Sequence, residues 1–386
     1  MLKPFTIAVT DAALEDLAAA LARTRFAGDA GFSGWEDGTP PAYVRELVTH
    51  WRIAFDWRAQ EAALNRFTQL RGDVDGTQLH LIHERGTGPK PFPLLLVHGY
   101  PDSFWRFHKL IPLLTNPAAH GGDAADAFDV VAPNLPGYGW SEVRLDYGGV
   151  FGFGDLFAKL MADLGYERYG AHGGDWGSTV TELLARSHGK HVAGIHLTDV
   201  PFWHAFTKPD NPSAAEARFL KANQTFQMRD GAYAMLQGTR PATPASALAD
   251  SPAGLAAWIV EKFYEWSDCH GDIEARFSRD ELLTNVMIYW ASGTIGSSFL
   301  PYRDFVKAGA GRWTTEAARG WLGTHKTPAG FALFPRDITR PPREWAERFF
   351  NVQRWSEMPN GGHFAALEEP ELLAQDIRDF FRSLRE

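Results

Sequence analysis

The chain is short of cysteine, of positive charge and of long apolar runs, and each shortage closes off a class of protein. Among its 386 residues there is one cysteine, Cys269. A disulfide within the chain is excluded, no paired cysteines stand at metal-ligand spacing, and a cytoplasmic location fits. Lys and Arg number 38 against 47 Asp and Glu, a formal net charge of −9. Nucleic acid and anionic membranes both call for a basic patch, so neither is expected as a partner. The first ten residues carry one lysine and no apolar core of a signal peptide. The longest apolar stretch near the N-terminus, residues 12–22, is interrupted by Glu15 and Asp16. It falls well short of the roughly 20 residues a spanning helix needs, so no membrane anchor is expected. Internal repeats and low-complexity tracts are also missing.

What is present is an ordinary soluble composition, 45% hydrophobic and 22% charged, with 14 Trp and 27 Phe. That supply of aromatics fits a large core and an aromatic-lined cavity. Residues 1–75 read as a helical lead-in without strands: one helix over 11–24, a second over 43–55, a third over 57–67, with a Gly/Pro-rich loop between the first two. This segment is expected to pack on the sheet domain C-terminal to it. From residue 76 the texture becomes alternating strand and helix. Strands are predicted over 78–84, 93–97, 128–132, 168–171 and 192–198, with helices over 107–114, 153–164 and 178–187 between them. Such alternation specifies an α/β fold with a doubly wound, mostly parallel sheet. It stops at residue 201. Residues 201–312 are mostly helical, with breaks at 238–253 and 292–298, and read as a cap inserted into the sheet domain. Residues 313–386 return to the core, with strands over 330–334 and 352–358 and a closing helix over 371–384.

One turn carries the chemistry. Tyr169-Gly170-Ala171-His172-Gly173-Gly174-Asp175-Trp176-Gly177-Ser178 contains Gly-x-Asp-x-Gly, a nucleophile elbow with Asp where a hydrolase usually keeps Ser. Glycines permit the tight strand-to-helix turn, and the helix N-terminus favours an anion. Read alone, Asp175 is equally a plain helix N-cap. Two other loops shift the balance. His98-Gly99-Tyr100-Pro101 comes after the first central strand, where this architecture supplies one oxyanion donor, so the backbone N–H groups of Tyr100 and Trp176 are the expected oxyanion hole and lie against the substrate. His98 itself reads as structural. Asn360-Gly361-Gly362-His363-Phe364 comes after the last strand, the place of the catalytic His. For the acid that orients it there are two candidates, Asp337 after the penultimate strand and Asp199 after the elbow helix and its strand, and Asp337 is preferred. No Gly-x-Ser-x-Gly occurs, and Ser178 lies inside the helix. A carboxylate nucleophile attacks a saturated carbon bearing a leaving group, which suits an epoxide or an alkyl halide and calls for water but no cofactor and no metal.

These stretches, with Gly31-Phe32-Ser33-Gly34-Trp35, Trp51–Trp57, Leu282–Trp290 and Gly361–Pro370, resemble epoxide hydrolases of the microsomal type, within the α/β-hydrolase superfamily, over nearly the whole chain. The resemblance implies Asp175 as nucleophile, His363 as base and Asp337 as orienting acid. It implies Tyr233 and Tyr302, from the cap, as the acids that open the ring of a small-molecule epoxide. Tyr289 and Tyr264 are rivals, but both sit in helical runs that look like packing faces. Membrane-bound animal relatives carry an N-terminal anchor and often have Glu where this chain has Asp337. A haloalkane dehalogenase is the alternative activity, since Trp176 directly succeeds the nucleophile. A small-molecule receptor on the same fold is the alternative from another class. Association into a homo-oligomer is left open by the sequence.

Overall fold

The computed structural model describes residues 1–28, 31–146, 149–207, 209–308 and 324–385. Among these, nine strands form one sheet: β1 (Leu2–Pro4), β2 (Gln69–Val74), β3 (Thr77–Glu84), β4 (Phe92–Val97), β5 (Phe128–Pro133), β6 (Tyr169–Gly173), β7 (Val192–Leu197), β8 (Pro328–Leu333) and β9 (Asn351–Glu357). Their order is β1-β2-β3-β5-β4-β6-β7-β8-β9. The first three strands are antiparallel, and every pair from β5 through β9 is parallel. The central strands are near-continuous apolar runs because helices cover both faces. Strand β4 pairs with both β5 and β6. The strand order therefore reverses there, and a crevice opens at the carboxyl ends, the usual place for a ligand in such sheets.

The lead-in corrects one expectation. It contains strands: β1 pairs with β2, and β2 with β3 through a two-residue turn at Asp75 (φ 50°) and Gly76 (φ 78°). Asp-Gly is a strong hairpin signal because both residues tolerate positive φ. The charged Arg71 and Asp73 mask the strand in β2, and β1 is too short to show a period. Its helices α1 (Asp11–Ala22), α2 (Pro41–Ile53) and α3 (Trp57–Leu64) match the expected pattern with earlier ends. The core helices are α4 (Leu110–Thr115), α5 (Phe153–Asp163) and α6 (Trp176–His188).

After β7 come α7 (Ala214–Arg229), α8 (Ala232–Thr239), α9 (Ala242–Asp250), α10 (Pro252–Glu265), α11 (Arg279–Ser292) and α12 (Leu300–Lys307). The break expected over 238–253 holds helix α9, because Pro241 and Pro244 fall at its start, where a missing N–H costs little. The boundary expected at 312/313 lies outside the described residues. The lead-in touches this helical layer as well as the sheet: α1 and α2 lie against α10, and Thr39 Oγ1 donates to Ala257 O at 2.8 Å. The chain closes with helix Pro370–Arg382. No helix among the described residues is long and apolar enough to cross a membrane.

Candidate active site

The turn between β6 and α6 holds Asp175 at φ 59°, ψ −128°. For a non-glycine residue this conformation stores on the order of 1–3 kcal/mol. Close backbone approach explains the glycines around it. A Cβ on Gly173 would run into Gly177 O, one on Gly177 into Val97 O, and one on Gly99 into the Asp175 carboxylate. The Asp175 N–H is not left free by the strain: it donates to Asp199 Oδ1 at 2.9 Å.

Asp199 thus braces the elbow instead of meeting the histidine. Its Oδ2 lies 2.8 Å from Ser178 Oγ, which is also 2.7 Å from the Asp175 carbonyl oxygen. One hydroxyl proton cannot serve two acceptors. Both contacts are filled when Ser178 donates to the carbonyl and a protonated Asp199 donates to Ser178. Burial, then the neighbouring Asp337 carboxylate, push Asp199 up to about 7, in keeping with that arrangement.

The Asp175 carboxylate faces two backbone donors. Tyr100 N–H donates to Oδ1 at 2.8 Å, and Trp176 N–H bonds the same carboxylate. Tyr100 is fixed from the opposite side, its hydroxyl accepting from Gln237 Nε2 at 2.7 Å and Trp258 Nε1 at 2.6 Å. Burial raises the Asp175 pKa, with His363 and the two N–H groups opposing. His98 bonds backbone through both ring nitrogens, to Gly99 O and from Leu135 N–H.

His363 arrives from the loop after β9. Arg336 N–H donates to Gly361 O at 3.0 Å, zipping this loop to the one after β8 that carries Asp337. His363 Nδ1 then lies 2.7 Å from Asp337 Oδ1, and Nε2 lies 3.6 Å from Asp175 Oδ2. Its backbone is pinned twice: its N–H donates to Trp266 O at 2.8 Å, and its carbonyl accepts from Arg106 at 2.9 Å. Arg106 is itself buried and paired with Asp102 at 3.0 Å. Burial pushes the imidazole down, but Asp337 and then Asp175 outweigh it and hold it at about 9.

A cavity of about 130 Å³, partly open to solvent, joins these groups to two tyrosines of the helical layer. Asp175, Trp176, Asp199, Asp337 and His363 line it from the sheet side, Tyr233 and Tyr302 from the helical layer. The rings of Tyr233 and Tyr302 meet edge-on at 5.9 Å, and Tyr302 lies edge-on to Trp176 at 5.0 Å. Burial, with the Asp175 charge among the further causes, holds both phenols well above their usual range. They stay protonated at neutral pH. The rivals lie elsewhere: Tyr289 donates to Asp102 O at 2.6 Å, and Tyr264 stacks on Trp35.

Six of the residues given a role from the sequence, Asp175, Trp176, Tyr233, Tyr302, Asp337 and His363, line one cavity, and Tyr100 lies behind it with its N–H on Asp175. Asp199 joins them in a different capacity from the one considered for it. Sequence reasoning missed Arg106, Gln237, Trp258 and Lys262. Lys262 is buried, and its ammonium sits 4.7 Å from the centre of the Tyr233 ring. Only three-dimensional contacts identify these four; a lysine on a helix otherwise reads as surface. Among the described residues no three His, Cys, Asp or Glu side chains gather as a metal site.

Comparison with known proteins bears on this geometry. Residues 2–107 match the family model described as epoxide hydrolase N terminus, and residues 93–246 match that of the alpha/beta hydrolase fold. A Stigmatella aurantiaca protein, provisionally named an epoxide hydrolase, is 42% identical over 99% of this chain and 85% of its own length. Epoxide hydrolase 1 of Sus scrofa is 35% identical, covering 100% of this chain and 89% of its own. The Aspergillus niger epoxide hydrolase structure superposes with a TM-score of 0.85 at 28% identity, over 100% of this chain and 97% of that one.

Proposed function

The chain belongs to the epoxide hydrolase family, and from that premise we propose that it hydrolyses an epoxide to a vicinal diol through a covalent ester on Asp175. The observation that carries the reading is the three-way arrangement of Asp175: Oδ1 held by the Tyr100 N–H, Oδ2 facing His363, and the carboxylate opening into a cavity shared with two neutral phenols.

Asp175 Oδ2 attacks a ring carbon and the C–O bond breaks. The electron pair goes to the ring oxygen, which takes a proton from Tyr233 or Tyr302. The phenols are protonated, so they can give that proton. Alkylation removes the Asp175 charge. That charge is one of the influences raising His363, so the imidazolium becomes more acidic once the ester forms. Its proton passes through solvent to the tyrosinate, and a neutral base results. His363 Nε2 then takes a proton from water as the oxygen attacks the ester carbonyl. The oxyanion collects on Oδ1, against the N–H groups of Tyr100 and Trp176. Collapse expels the diol oxygen, which takes the remaining proton of the attacking water from the new carboxyl group, and returns Asp175 as carboxylate beside the imidazolium. Asp337 orients the ring throughout. In this reading the helices from α7 to α12 act as the cap over the site.

The test is a trap. A His363→Gln variant is given an aryl epoxide, and the peptide bearing Asp175 is weighed. A stable adduct on Asp175 is expected. An adduct elsewhere, or none across a panel of epoxides, contradicts the mechanism. Release of halide from a haloalkane instead of diol from an epoxide identifies the dehalogenase alternative.

A further inference from the structure

The catalytic groups leave one part of the cavity wall without a role. On α7, Asn223, Phe226 and Gln227 share one face, three and four residues apart, and all three line the cavity. Asn223 is only 8% exposed. Among the described residues neither amide makes a hydrogen bond, although each carries a carbonyl acceptor and two N–H donors. Gln227 is half-buried, and both amides face the cavity, where their donors and acceptors are open to a ligand. The rest of that wall is apolar: Phe202, Phe206 and Phe305 line it, with Met235 and Val306 partly exposed at its rim. The charged groups lining the cavity are carboxylates and one histidine, with no Lys or Arg among the described lining residues.

We infer that Asn223 and Gln227 form a second binding subsite, which hydrogen-bonds a neutral polar group, an ester or carboxamide carbonyl, carried on the otherwise apolar body of the substrate. This rests on the epoxide hydrolase reading and narrows its substrate class. Two amides offer donors and acceptors together, and so match a carbonyl or carboxamide. The carboxylates of Asp175 and Asp337 disfavour a carboxylate at the same place. A site built to bond a polar group discriminates against the analogue without it more strongly than an apolar pocket discriminates by size.

The test uses non-reactive ligands first. Two aryl cyclopropanes, one ending in a carboxamide and one in an isopropyl group of the same shape, are titrated calorimetrically into the wild type and the N223L/Q227L double variant. The wild type should prefer the carboxamide, and the preference should fall about tenfold or more in the double variant. N223A/Q227A repeats the measurement without added bulk. The same ratio is then read as kcat/KM for the matching epoxides, with the loss expected in KM. An unchanged preference in both variants overturns the subsite, as does tighter binding of the corresponding carboxylate. Failure of the hydrolase reading looks different: neither epoxide is turned over, while the cyclopropane preference and its loss persist.

Discussion

The two walls of the cavity are fixed by different means. On the sheet side, position is set by backbone: a positive-φ elbow, glycines where no Cβ fits, and loops tied by Arg336 N–H to Gly361 O and His363 N–H to Trp266 O. On the cap side, position comes from side chains on short helices, with Tyr233 and Tyr302 held by ring contacts. The difference assigns tasks. In the proposed mechanism the sheet wall holds the atoms that form and break the ester, where misplacement by about 1 Å costs on the order of 100-fold. The proposed part of the cap wall is to donate a proton, a task two phenols can share, and to contact the body of the substrate.

Substitutions sharpen that contrast. Asp175→Asn should have the largest effect, lowering kcat/KM by about 10⁴-fold or more in initial-rate assays, because no other group in the cavity replaces the nucleophile. On the cap side the paired phenols predict redundancy. Tyr233→Phe or Tyr302→Phe alone should lose about tenfold, and the double variant about 10²- to 10⁴-fold, the range of general acid catalysis. Full activity in the double variant would break the proposed division of labour. Gly99→Ala tests the sheet side without removing a functional group: its methyl meets the Asp175 carboxylate, so kcat/KM should fall roughly 100-fold. Circular dichroism should show the chain still folded.

The pH dependence separates the two half-reactions. His363 is held at about 9 and is protonated below that value in the free enzyme. Ester hydrolysis needs it neutral, so the ester should live longer as pH falls, while alkylation, which needs ionised Asp175, should not share that limb. Rapid-quench single turnovers read both rates. The smallest effect is expected at the brace. Asp199→Asn keeps an acceptor for the Asp175 N–H and a donor for Ser178, so activity should stay within about threefold; Asp199→Leu removes both bonds and should cost about tenfold.

The sheet wall was legible in the sequence because backbone constraint leaves marks there. Gly173, Gly177 and Gly99 stand where only glycine fits, and His363 comes after the last strand, where the fold's order puts a candidate base. Asp337 was separable from Asp199 by strand position, yet the brace that Asp199 makes depends on a backbone N–H that no residue pattern announces. The cap wall was legible only through family resemblance, since Tyr233 and Tyr302 sit among other helical aromatics with no spacing to mark them. Lys262 and Arg106 stayed hidden for a related reason: burial of a cation is a property of the packed structure. The strands β1 and β2 were missed at the sheet edge, although Asp75-Gly76 carried the turn signal.

The central claim is that Asp175 itself gives an oxygen atom to the product. A single turnover of the wild type in water enriched in heavy oxygen, with enzyme in excess over epoxide, tests it directly. The account predicts that the diol carries no label and that the peptide containing Asp175 gains it, because water attacks the ester carbonyl. Label in the diol, with Asp175 unlabelled, would mean that water opens the ring directly and would contradict the account.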